Sequence, residues 1–204
     1  MAALTTPQHR LGHAAPTLLL LLTALTAALA CQHLWIHHDT FPWEQLQLLD
    51  HMAPNSTHTC QLQNPPFFPD TLRRNNLNPQ QAVAAALRIP QHLFHTLSAN
   101  GTSQHWHTQT RHRLLNQLQH HIHRLEQCRP DNARLFKGPR NPLTAINKYF
   151  KDIHLFLHAH NHTACAWDHV RLEARASFQH LHNLTCTIRR HPKHTHTPTT
   201  TTPL

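Results

Sequence analysis

Along three stretches of the chain apolar residues return every third or fourth position. The firmest run is Leu114, Leu115, Leu118, Ile122 and Leu125, one face of a helix, which stops at Cys128-Arg129-Pro130. It predicts a helix over about residues 104–128. A second run, Leu143, Ile146, Phe150, Ile153 and Leu157, begins after Pro142 and fades at Asn161. The third, Trp167, Val170, Ala174, Phe178, Leu181 and Ile188, holds the same spacing to about residue 189, so both predict long amphipathic helices. Upstream, Asn78-Pro79 supplies an N-cap and a proline at the first helical position, ahead of Val83, Ala86, Leu87, Leu93, Phe94 and Leu97 and an Asn100-Gly101 stop. Pro90 lies inside that run. Lacking an N–H and crowding the preceding turn, it is expected to kink this helix or split it in two. A shorter helix is expected around Trp43, Leu46, Leu49 and Met52, with Pro42 near its start.

The connections decide what kind of helical fold this is. The segment from Ala53 to Asn78 carries Pro54, Pro65, Pro66 and Pro69 and is too long for a helical hairpin. It has about the length of a crossover along a bundle, and Arg129 to Pro142 can serve as another. Two such crossovers permit the up-up-down-down cytokine arrangement. The expected fold is therefore all-α, a five-helix bundle with long overhand loops. Composition agrees: only 3 glycines are present in 204 residues, which excludes glycine-rich phosphate loops and disfavours sandwiches built from many tight hairpins. At 39% hydrophobic and 13% charged, the chain can bury a core and lacks the signature of disorder.

Residues 1–30 read as a secretory signal peptide: His9, Arg10 and His13, then an apolar stretch, then Ala28-Leu29-Ala30 before Cys31. Thr23 and Thr26 interrupt the stretch, leaving it short of the roughly 20 apolar residues a spanning helix needs. The expected organisation is signal peptide 1–30, helical domain 31–190, and a disordered Thr/Pro/His tail 191–204. Sequons at Asn55, Asn100, Asn161 and Asn183 suit glycosylation on a secretory route, and three of the four fall where loops are expected. Five cysteines, Cys31, Cys60, Cys128, Cys165 and Cys186, allow at most two bridges within one chain, and spacing alone leaves fifteen arrangements open. None forms C-x-x-C or pairs with His at zinc-finger spacing, so disulfides are the default in an oxidising compartment.

Asn147-Lys148-Tyr149-Phe150, Cys165-Ala166-Trp167-Asp168, Val170-Arg171-x-Glu173 and Ser177-Phe178 resemble the last two helices of type I interferons, closely those of birds. Trp106, Leu125-Glu126-x-Cys128, Phe68-Pro69 and the cysteine at the mature N-terminus extend the likeness over nearly all of residues 31–190. The resemblance implies a secreted, monomeric cytokine that brings two different receptor chains together at the cell surface and induces an antiviral state, with no catalysis and no cofactor. It also implies the bridges Cys31–Cys128 and Cys60–Cys165, with Cys186 unmatched. In that family the high-affinity receptor chain meets the long first loop and the last helix. There Arg171 matches, while Arg175 and Ala176 replace other types and Asn64-Pro65 stands where relatives carry a basic residue. On the opposite face, met by the low-affinity chain, Lys148 and Tyr149 match and Asn147 does not.

On the last helix, Arg171, Arg175 and His182 fall together on one shoulder of the apolar arc, which predicts an exposed basic strip. Arg171 and Arg175 are candidate contacts for the high-affinity chain and Lys148 for the other. The 25 histidines and the net charge of +9 support an alternative, a His-rich cationic host-defence protein acting on membranes or metal. His120-His121-x-His123, the pair His154 and His158, and His158-x-His160-x-His162 are its metal candidates. Against it, no H-E-x-x-H arrangement occurs, and His120 and His123 point off the apolar face. Basic residues are scattered without aromatic interleaving, so neither nucleic-acid binding nor membrane insertion is expected. A hydrolase would need a positioned nucleophile, and no G-x-S-x-G elbow is present.

Overall fold

The computed structural model describes residues 41–53, 62, 65–73, 77–99, 106–127 and 141–190. Within them lie six helices and no strand: α1 (Phe41–Met52), α2 (Asp70–Arg73), α3 (Pro79–Leu97), α4 (Thr108–Glu126), α5 (Pro142–Ala159) and α6 (Ala164–Arg190). Five are the helices the periodicity predicts. The sixth, α2, is a single turn within the long first connection. Its four residues are too few to show a period, and it is held by one buried side chain, Leu72.

Local chemistry sets the helix starts. Asn78 accepts the Gln81 N–H at 2.8 Å while the Gln81 side chain accepts the Asn78 N–H at 3.2 Å, a reciprocal capping box ahead of Pro79. Asn141 caps α5 in the same manner through the Leu143 N–H at 2.9 Å. His107 caps α4, its Nδ1 accepting the Thr110 N–H. Between α5 and α6 the chain reverses through Asn161 and His162, both left-handed with φ of 50° and 51°. Asn tolerates that region through its short polar side chain, whereas His162 holds it at a cost of about 1 kcal/mol. The His162 N–H returns to the Leu157 carbonyl at 2.9 Å and closes the helix end.

α3 is the central helix, packed against α4, α5 and α6, while α1 lies across α4 and α6 and α2 rests on α5. One continuous core joins Leu49, Met52, Ile89, Leu97, Leu114, Leu118, Ile146, Phe150, Trp167 and Phe178. The rings of Trp106 and Trp167 meet edge to face, with centroids 5.3 Å apart. Arg111 is buried, donating from Nε to the Leu97 carbonyl at 2.9 Å and from Nη2 to the Ala99 carbonyl at 3.3 Å. Its guanidinium thereby closes the carbonyl end of α3.

The expected split at Pro90 does not occur: α3 runs as one helix from Pro79 to Leu97 with Pro90 buried inside it. Ala82, Ala85, Ala86 and Ile89 before it, and Leu93 and Leu97 after it, are all buried in the same core. Each large apolar side chain there contributes about 2 kcal/mol, so together they exceed the roughly 3 kcal/mol an interior proline costs.

Candidate functional site

α6 turns a different chemistry in each direction. At about 100° per residue, Trp167, Val170, Ala174, Phe178 and Leu181 share one arc, and all five are buried. On one shoulder of that arc, Asp168, Arg171, Arg175 and His182 face α1. Arg171 Nε donates to Asp168 Oδ1 at 2.9 Å, and its Nη1 lies 3.9 Å from Asp50 Oδ1. Arg175 Nη1 donates to both Asp50 carboxylate oxygens, at 2.7 Å to Oδ2. The exposed basic strip is thus corrected: the Arg171 side chain is only 12% exposed, and both arginines are tied to carboxylates. α1 packs over this shoulder and brings Asp50 with it, which the period of α6 alone does not reveal. Arg175, 41% exposed, keeps a solvent-facing edge.

The other shoulder lies beneath the long first loop. His169 Nε2 donates to the Pro66 carbonyl at 3.1 Å. Tyr149 of α5 donates its hydroxyl to Glu173 Oε2 at 2.7 Å, and the Phe68 backbone N–H also reaches the Glu173 carboxylate. The Phe68 ring sits 5.2 Å from Tyr149 and 5.0 Å from His180, centroid to centroid. One buried carboxylate therefore clasps loop, α5 and α6 together. Tyr149, which the resemblance places on the face of the low-affinity chain, is buried in this clasp and unavailable to a partner. Burial raises the Glu173 carboxyl above its ordinary value, with the Tyr149 hydrogen bond opposing. It also raises the Tyr149 phenol, as does the Glu173 charge. Burial first and Arg73 second push His180 down to about 4, so its imidazole is neutral at physiological pH.

Between the two shoulders runs an outward ridge, Leu172, Ala176, Gln179 and Asn183, spaced four, three and four residues apart along the helix. Leu172 is 49% exposed, and Phe67, held over His169 with ring centroids 6.0 Å apart, is 68% exposed. Beside the ridge an open cavity of about 230 Å³ is lined by Phe68, Arg73, Ala176, Gln179, His180 and Asn183. Charge does not mark this ridge in the sequence. The available signal was a large apolar residue, Leu172, on the polar side of an amphipathic helix.

Across the bundle, Lys148 is exposed and its Nζ lies 2.7 Å from Asp152 Oδ2. Asn147 Oδ1 accepts from Arg88 Nε at 2.9 Å and His92 Nε2 at 2.8 Å, so α3 supplies a guanidinium beside this position. His92 stacks on Phe150 at 4.8 Å, and the His95 and His154 rings lie 5.4 Å apart. Burial lowers His92, and it lowers His154, where neighbouring His95 and His92 add to the effect. His120 and His123 are exposed, while His121 between them is buried. Among the described residues, no group of three or more His, Cys, Asp or Glu is arranged to hold a metal ion, and no helix is long and apolar enough to cross a membrane.

Asn161 is exposed in the α5–α6 turn and Asn183 is exposed on α6. Cys165 is disulfide-bonded and Cys186 carries a free thiol, its Sγ 3.8 Å from His182 Nε2. The signal segment, Cys31, Cys60, Cys128, Asn55, Asn100 and the tail 191–204 lie outside the described residues.

Long helices around one core, joined by long connections with a clasped first loop, define a helical cytokine. Residues 34–188 match the interferon alpha/beta domain. The chain is 48% identical to "Interferon type B" of Gallus gallus over 170 residues, 82% of this chain and 83% of that one. It is 45% identical to "Interferon" of Meleagris gallopavo over 90% of this chain and 97% of the relative, and 42% identical to "Interferon type A1/A2" of Gallus gallus over 91% and 97%. The chain belongs to the type I interferon family and is avian-like. As such it is a secreted, extracellular cytokine and not an enzyme.

Proposed function

We propose that this cytokine binds and brings together the two chains of the type I interferon receptor, triggering antiviral signalling. The high-affinity chain meets the face made by Phe67 of the first loop and the ridge of α6, with Arg175 at its edge and Arg171 behind it as the residue that positions Asp50 and Asp168. The low-affinity chain meets the α3–α5 side, where Lys148 and the Arg88–Asn147 pair are exposed. The observation that carries this reading is the exposure of Phe67 and Leu172. Both are large apolar side chains left outside a core that takes in their neighbours Phe68 and Glu173. Apolar anchors rimmed by polar and cationic groups are the usual composition of a binding hot spot.

The secreted form begins at Cys31 in this proposal, with Cys31–Cys128 and Cys60–Cys165 bridged and the domain acting as a monomer. The test is to apply the purified protein to avian cells and measure antiviral gene induction, with a parallel culture lacking the high-affinity receptor chain. Induction in the first culture alone is expected. Equal responses in both, or membrane leakage of receptor-free vesicles at the same concentrations, would replace this reading with the cationic host-defence alternative.

A further inference from the structure

We infer that a glycan on Asn183 regulates the receptor-binding face, and that its attachment is decided before α6 folds. This rests on the assignment of the α6 ridge to the high-affinity chain. Asn183 continues the line Leu172, Ala176 and Gln179, three turns further along α6 and about 16 Å from Leu172 by helical rise. It also lines the cavity beside the ridge, together with Phe68, Arg73 and His180. A bulky hydrophilic chain rooted there occupies the end of the face and the space beside Gln179 that an approaching receptor must enter.

The same sequon has a second property. N-glycosyl transfer joins Asn183 Nδ2 to the anomeric carbon of a lipid-linked oligosaccharide; the lipid diphosphate leaves, and one amide proton passes to the transferase. The enzyme must hold the asparagine amide and the Thr185 hydroxyl together. In α6 these two residues are about 160° apart around the helix. Thr185 is buried, its Oγ1 donating to the Leu181 carbonyl at 2.9 Å, and Leu184 between them is fully buried. Folded α6 is therefore not a substrate, and modification competes with helix packing during secretion. The secreted protein is then a mixture of occupied and empty forms, unlike at Asn161, whose turn leaves Asn161 and Thr163 exposed after folding.

The experiment expresses the full chain in avian secretory cells, quantifies Asn183 occupancy by glycopeptide mass spectrometry, separates the two forms, and measures binding of each to the immobilised ectodomain of the high-affinity receptor chain. The empty form should bind at least tenfold more tightly, mainly through faster association, and secreted Thr185→Val, which cannot be glycosylated at Asn183 and keeps the ridge intact, should match it. In glycan-free bacterial protein, Thr185→Val, which removes the sequon from a buried position off the ridge, should leave affinity unchanged, while Leu172→Asp should reduce binding tenfold or more. Folded bacterial protein given transferase and lipid-linked donor should stay unmodified at Asn183, whereas the reduced, unfolded chain should accept the glycan. If Asn183 is always empty, or always fully occupied, or if both forms bind alike while Leu172→Asp still weakens binding, the glycan inference falls and the face stands. If Leu172→Asp is silent, the face itself is wrong and the inference falls with it.

Discussion

At Arg171 the sequence suggests a solvated contact, but the side chain is enclosed between Asp168 and Asp50. Removing it leaves Asp168, itself only 19% exposed, without its partner. Arg171→Ala should therefore cost about 1.5 to 3 kcal/mol of stability, read as a lowered midpoint in thermal or denaturant unfolding. An unchanged midpoint would return Arg171 to the surface. His180 makes a second prediction at this scale. An imidazole whose folded value is about 4 binds fewer protons folded than unfolded between that value and about 6.5. Its contribution is complete above pH 6.5 and is lost as pH falls toward 4. His92 and His154, also lowered, act in the same direction, while the raised Glu173 acts in the opposite one. Between pH 7 and 5, His180 alone should remove about 2 kcal/mol. His180→Phe, which keeps a ring against Phe68, should flatten the pH dependence of the melting temperature over that interval. An equally steep profile would place the acid sensitivity elsewhere.

The long helices are legible because their periods are long. Every apolar residue assigned to the core of α6, from Trp167 to Ile188, is buried, as are Leu114, Leu118 and Leu125 of α4. What the periods could not show is which polar residues go inside. Glu173, His180 and Arg111 are buried because a loop, α5 or the end of α3 arrives to meet them, and such contacts are invisible within one helix. The same limit applies to Pro90. Its local signal is a break, yet the packing on both sides belongs to one core. Replacing Pro90 with Ala restores the missing hydrogen bond to the Ala86 carbonyl and removes ring crowding, so it should raise stability by about 1 to 3 kcal/mol. The gain would be seen in the chemical denaturation midpoint. A loss would mean that the bulk of the proline ring in the core outweighs the backbone strain.

For the molecule as a whole, the clasp of Glu173 with Tyr149 and Phe68 fixes the first loop against α5 and α6 and so presents Phe67 beside the ridge. Cys165, at the start of α6, adds a covalent tie. Peptide mapping without reduction should find Cys165 joined to Cys60 and Cys31 joined to Cys128. A peptide containing Cys186 and any other cysteine of the same monomer would overturn that pairing. The fold class and the family were legible in the sequence, whereas the surroundings of Arg171 and Tyr149 were not, since the Asp50 carboxylate and the Glu173 clasp that enclose them come from other elements. The most direct test of the account is therefore a binding measurement on glycan-free protein carrying Phe67→Ser and Leu172→Asp, with unfolding followed on the same sample. Both positions are exposed, so the melting temperature should stay within about a degree or two of the parent, equivalent to about 0.5 kcal/mol. Affinity for the high-affinity receptor chain should fall a hundredfold or more, the loss of two anchors at about 2 kcal/mol each, with some non-additivity. Unaltered affinity at unaltered stability would show that the receptor binds some other face.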